Sequence, residues 1–277
     1  MRRMLKYKLF MKAALVAAIV LTAKYFSDRF GFSQITINTL TSSFFAGVFF
    51  TISILFTAAM TDFKEAEKIP GELAVLMKAL RNDAKLVCAV GNDCPETQNI
   101  VAHVEGLLSA IMDNFRSNCW HKARLDEQFA RINQDIISLS TKNVASGVIT
   151  KIREHLTNVD RLSHRIDYIG YTDDIPGAYI VSDIALCAVF LIFIFSNNEW
   201  GAGGLVLFGA ITFVLSAIIF LIHDMDNPFE YGHDSLADVD LSVLFRLENI
   251  WKGVEDPEGA VLSVPRRSRL KVTGPLK

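Results

Sequence analysis

The chain has 277 residues, 51% hydrophobic and 21% charged, with a mean hydropathy of +0.30 and a formal net charge of −2. Neutralising a nucleic-acid backbone needs a basic surface, so this charge balance argues against nucleic acid as the main partner. So apolar a chain can carry that much charge only if the two are segregated along it.

Four apolar runs bear this out: Leu9 to Tyr25, Leu40 to Met60, Ala178 to Phe195 and Gly203 to Ile222. Each is close to the roughly 20 residues that a helix rising about 1.5 Å per residue needs to cross a bilayer core. The expected fold is an all-α membrane protein, with four transmembrane helices in two pairs and a helical domain between the pairs. The implied units are residues 1–60, 61–177, 178–222 and a tail over 223–277. Arg2, Arg3, Lys6, Lys8 and Lys12 precede the first run. Short cytoplasmic segments are enriched in such cations, which places both termini and the charged middle in the cytoplasm and the protein in the cell (inner) membrane. A cleaved signal peptide is the rival reading of the first run, but no A-x-A-like site follows, and cleavage would leave an odd number of spans. The basic tail Arg266-Arg267-Ser268-Arg269-Leu270-Lys271 suits lipid headgroups or solvent.

The charged middle reads as helices. Leu73, Leu76, Met77 and Leu80 repeat at helical spacing after Pro70-Gly71, and Gly91-Asn92-Asp93 stops them. A second stripe starts from Pro95 with Ile100, Val104, Leu107, Leu108, Ile111 and Phe115. A third carries Leu125, Phe129, Ile132, Ile136 and Leu139, and a fourth runs from Val144 through Ile152, Leu156, Val159 and Ile166 toward Pro176-Gly177. Core packing accounts for all four. Cys88 and Cys94 with Cys119 and His121 suggest a zinc site only weakly, since the first spacing exceeds the usual two to four intervening residues, and the cytosolic placing argues against disulfides.

Three polar features fall inside or beside the spans. Lys24 is expected to snorkel to the headgroups at the outer end of span one. Ser182 and Asp183 lie one to two turns into span three, where an ionised carboxylate either sits at headgroup depth near a helix N-terminus or lines a polar pathway. After span four the composition breaks abruptly at His223-Asp224-Met225-Asp226-Asn227-Pro228-Phe229. Pro228 disfavours helix at Asn227, so Asn227, Pro228 and Phe229 are expected to form a turn whose ring docks the tail on the helical domain.

Several of these segments resemble the bestrophins. Gly47-Val48-Phe49-Phe50-Thr51 is similar to their G-F-Y-V-T stretch, and Ile175-Pro176-Gly177-Ala178-Tyr179 to the I-P-x-x-Y that leads into their third span. Asp226-Asn227-Pro228-Phe229-Glu230, followed by Asp234, Asp238 and Asp240, resembles the N-P-F-G segment and acidic run after their fourth span. The matches occur in the family's order and cover the chain to about Leu241, most closely like the divergent bacterial bestrophin-like group. The resemblance implies a homo-oligomer, a pentamer, that conducts small anions of the chloride type through a narrow apolar neck on helix two. Aligned through Gly47, the residues Leu40, Phe44 and Val48 fall where the family has its neck. An apolar constriction gates by dewetting, and aromatic ring edges carry partial positive charge toward an anion. A plain lipid-facing or packing stripe is the other reading of these three.

In animal bestrophins an acidic clasp binds calcium, and Asp234, Asp238 and Asp240 could supply carboxylates for one, although Tyr231, His233, Ser235 and Leu236 dilute the run. No other metal is indicated. The expected activity is not enzymatic, since no nucleophile elbow, Walker loop, HExxH or dinucleotide fingerprint is present. The alternative to a channel is a non-conducting membrane scaffold or sensor whose helical domain binds a partner.

Overall fold

In a computed structural model of the chain, the residues described are 7–90, 95–141, 144–171, 176–197, 201–230 and 237–253. They form helices α1 (Lys8–Phe30), α2 (Thr39–Ala66), α3 (Ile69–Val90), α4 (Pro95–Ser117), α5 (Lys122–Ser140), α6 (Ser146–Tyr171), α7 (Pro176–Phe195), α8 (Gly201–Met225) and α9 (Ser242–Trp251). Among the described residues, four helical segments are long and apolar enough to span a membrane, and they are the four expected from the sequence. Within hydrocarbon a helix satisfies its own backbone groups, which is why apolar runs of this length fold as they do.

Helix boundaries follow local chemistry. At the start of α2, the Asn38 side chain accepts from Leu40 N and Thr41 N at 3.0 and 3.1 Å, and Thr41 Oγ1 accepts from Asn38 N at 2.8 Å. This reciprocal cap fixes Leu40 in the first turn. The helical run from Thr39 to Val87 is interrupted only by a turn at Glu67–Lys68, after which Pro70 takes a first-turn position where its missing N–H costs nothing. Helix α8 continues past Ile222 to Met225, so His223 and Asp224, expected in a break, are helical.

The apolar residues gather in two cores. One lies among the spans and joins Val48 and Ile52 of α2, Leu186, Val189 and Phe193 of α7, and Phe208, Leu215 and Ile219 of α8. Helix α1 packs chiefly on α8, presenting the small residues Ala13 and Ala17 inward; a Cβ added at Gly209 would lie 2.9 Å from Leu21 Cδ1. Small residues allow this close approach between spans. The other core fills the charged bundle, where α3, α4, α5 and α6 pack each on the next and α6 returns to α3. Helix α9 lies over α3 and α4. The sequence reading places no helix in the tail, although Leu241, Leu244, Phe245 and Glu248 have helical spacing and are buried.

Lys24 corrects the snorkelling expectation. The residue is 1% exposed, and its ammonium donates to Asp28 Oδ1 at 2.6 Å, to the Ser196 carbonyl and toward Ser33 Oγ at 3.4 Å. Beside it, Ile35 N donates to Phe195 O at 2.9 Å and Asn197 N to Ile35 O at 2.7 Å. The end of α7 and the connection after α1 are thus stapled together, and the cation is drawn inward by acceptors rather than outward by headgroups. Replacing Lys24 with Met should destabilise the protein by about 2 kcal/mol, below the roughly 3–5 of a fully buried broken pair because Asp28 retains 31% side-chain exposure. Thermal unfolding in detergent checks this; an unchanged midpoint would count against the staple.

Candidate functional site

Helix α2 carries the first candidate set. Leu40 is 78% exposed and Phe44 40%, while Val48 is only 6% exposed and belongs to the core among the spans. The three therefore do not form one open stripe. Residues four apart drift by about 40° per step around a helix, so two steps carry Val48 from the open side onto α7 and α8. The open side continues instead through Ser43, Gly47, Phe50, Thr51, Ile54, Thr57 and Thr61. The hydroxyls of Thr51, Thr57 and Thr61 donate to carbonyls four residues back at 3.0, 2.8 and 2.8 Å. Each polar group is thereby satisfied without a partner from another helix. Apart from Asp183 and His223 near one end, α7 and α8 expose apolar residues such as Ile180, Ile184, Leu191, Val206 and Val214.

Ser182 and Asp183, adjacent in sequence, have different surroundings. Ser182 is buried and donates to Tyr179 O at 2.8 Å, so it faces the protein and lines no open surface. Asp183 is about half exposed and pairs with His223 Nε2 at 3.3 Å, with the Tyr179 ring centroid 5.5 Å from that of His223. Helices α7 and α8 are linked there by a polar contact that neither run discloses alone.

The turn after α8 is embedded in the bundle. Phe229 is 1% exposed, its ring centroid 6.0 Å from that of Phe115. A Cβ at Gly170 of α6 would stand 3.2 Å from Phe229 Cδ2 and 3.4 Å from Asn227 Oδ1, so the bare backbone there admits the turn. The chain then returns: Val239 N donates to Pro228 O at 2.9 Å, and Ala237 N to Asp224 Oδ2 at 3.1 Å. Asp224, absent from the expected acidic set, is thus the carboxylate that closes the loop.

Of the expected clasp, Asp234 lies outside the described residues. Asp238 is exposed, and Asp240 Oδ1 accepts from Ser242 N at 2.9 Å at the start of α9. Among the described residues no three His, Cys, Asp or Glu side chains are grouped to hold a metal. Asp240 thus holds the turn that leads into α9. Cys119 Sγ stands 4.0 Å from His121 Nδ1, while the side chains of Cys88 and Cys94 lie outside the described set.

No protein-family model and no curated protein matches the chain. Solved structures do. Crystal structures of three point variants of a bacterial bestrophin homolog from Klebsiella pneumoniae are similar to it. Two have TM-scores of 0.67, at 10% and 11% identity, covering 89% and 90% of this chain and 97% and 98% of theirs. The third has a TM-score of 0.62 at 11% identity, covering 87% of this chain and 97% of its own. The chain has the bestrophin fold. At such identities the likeness establishes architecture, so the bestrophin fold here rests on helix order and packing.

The tail's docking ends in charge. Glu248 of α9 is buried and accepts from Arg116 and, at 2.6 Å, from Lys252; the Arg116 guanidinium also lies over the Phe245 ring, 5.3 Å from its centroid. Burial pushes the Glu248 carboxyl up, but the hydrogen bonds from Arg116 and Lys252 outweigh it, so the group titrates below its ordinary 4.5. Because the folded value is lowered, the stabilisation is present above 4.5 and is lost as pH falls through the folded value. Melting midpoints measured against pH should drop in this acid range, and Glu248→Gln should lower the neutral-pH midpoint and flatten the acid limb. Equal acid limbs in both proteins would remove Glu248 from the docking account.

Phe229→Ala should cost about 3 kcal/mol of bundle stability through the cavity it leaves. Gly170→Ala, which crowds the same ring, should cost about 1 kcal/mol. Denaturant unfolding of both variants checks the pair, and an unaffected Phe229→Ala protein would refute docking.

Proposed function

We infer that this protein is a bestrophin-like anion channel: a homo-oligomer, a pentamer, in the cell (inner) membrane, with both termini and the charged bundle in the cytoplasm. The open face of α2 lines its pathway. The observation that carries the reading is the composition of that face, where Ser43, Thr51, Thr57 and Thr61 alternate with Leu40, Phe44, Phe50 and Ile54, all exposed in the single subunit. A helix surrounded by lipid gains nothing from such hydroxyls. A helix facing an axis shared with its copies gains intermittent wetting between apolar rings. Leu40 and Phe44, held at the first turns by the Asn38 cap, form the neck. Val48 takes no part in it, since it is packed within the subunit.

Small anions suit this lining because ring edges present partial positive charge and hydroxyl hydrogens can turn toward an anion when their backbone acceptors release them.

Phe44→Ala should widen the neck and raise chloride conductance severalfold in reconstituted bilayers, with Leu191→Ala on the aliphatic face of α7 as a control expected to conduct like the wild type. Absence of current from wild type and Phe44→Ala alike, with melting intact, would favour the non-conducting scaffold.

A further inference from the structure

On the bundle side of the spans, a cleft of about 770 Å³ opens between the α2–α3 junction and the end of α6. A two-pronged ion pair is part of its lining: Arg165 Nε and Nη2 donate to the two Glu65 carboxylate oxygens at 2.8 and 2.7 Å. The Arg165 guanidinium also covers Tyr168, 5.1 Å from the ring centroid. Glu65 is thereby neutralised. Two further cations line the cleft, Lys68 and Arg161; both are exposed, Lys68 also acts on Glu65 electrostatically, and the acids Glu72 and Asp167 share the lining.

The depth of the cleft is informative. The apolar run of α2 ends at Met60, and five further residues, about 7 Å of helix, reach Glu65. On the other wall, Tyr168 precedes the start of α7 at Pro176 by eight residues. The mouth therefore lies near headgroup depth, and Tyr168, exposed there, is the amphipathic aromatic favoured at a membrane interface.

We propose that this cleft is a binding site for a phosphate-bearing ligand, with Lys68 and Arg161 holding the phosphate. The phosphate comes either from a phospholipid headgroup of the adjoining leaflet or from a free phosphate compound. Paired cations beside a span attract such groups, and arginine supplies a planar set of donors matched to phosphate oxygens. Glu72, also on the wall, can accept from the hydroxyl or ammonium hydrogens that glycerol and ethanolamine headgroups carry. The proposal concerns binding and does not rest on conduction.

The test uses delipidated full-length protein in a nonionic detergent, melted with increasing dihexanoyl phosphatidylglycerol, inorganic phosphate or phosphate-free dihexanoylglycerol. The phospholipid should raise the wild-type midpoint, and dihexanoylglycerol should not. Lys68→Gln with Arg161→Gln should weaken the apparent affinity about thirtyfold, and Lys68→Gln alone about fivefold, as expected for two and one lost surface cations. Lys78→Gln, an exposed α3 lysine outside the cleft, should respond like the wild type. An equal response to inorganic phosphate would identify a free phosphate compound as the source; a response to phospholipid only would identify the headgroup. No response to either, or a double variant that responds like the wild type, would overturn the proposal. Should the double variant not fold, Lys68→Gln decides the matter by the same comparison.

Discussion

The burial of one aromatic ring ties the two halves of this molecule together. Phe229 follows the last span by four residues, yet it belongs to the core of the charged bundle, against Phe115 and over Gly170. Apolar burial has no direction of its own, but here the backbone supplies one: Pro228 ends the helical course, and its carbonyl receives Val239 N as the chain returns. Helix α9 then lies within reach of Arg116 and Arg81, whose guanidinium stands 4.7 Å from the Trp251 ring centroid. There Glu248 is buried and accepts from Arg116 and Lys252, beside Leu244 and Phe245 in the same core.

The outer end depends on the opposite kind of contact. A lysine buried at the rim of a span must recover the hydration it loses, and Lys24 does so with one carboxylate, one carbonyl and a hydroxyl. Such a contact adds little net stability compared with an apolar core, but it is demanding about geometry. It therefore fixes the connection between α1 and α2, and with it the Asn38 cap from which the open face of α2 begins.

Between these two fixed ends, α2 contacts α7 and α8 on one side and leaves the other uncovered. Its satisfied hydroxyls make that side unlike the aliphatic exteriors of α7 and α8. The same helix passes almost without interruption into α3.

The sequence alone determined the spans, the four amphipathic bundle helices and the turn at Asn227-Pro228-Phe229, because each is encoded in contiguous residues through length, period or backbone restriction. It also carried the resemblance whose architecture the solved structures share. What it could not determine was which neighbour each face meets. Val48 shares a spacing with Leu40 and Phe44, but α7 and α8 cover it; Ser182 and Asp183 are adjacent, yet one is buried and the other meets His223 from α8. The same holds for Lys24, whose carbonyl partner lies 172 residues away, and for Asp224, whose carboxylate accepts from Ala237 N as the tail returns. Helical period fixes the angle between side chains on one helix, whereas exposure, ion pairing and loop closure are set by helices that only the tertiary fold brings alongside.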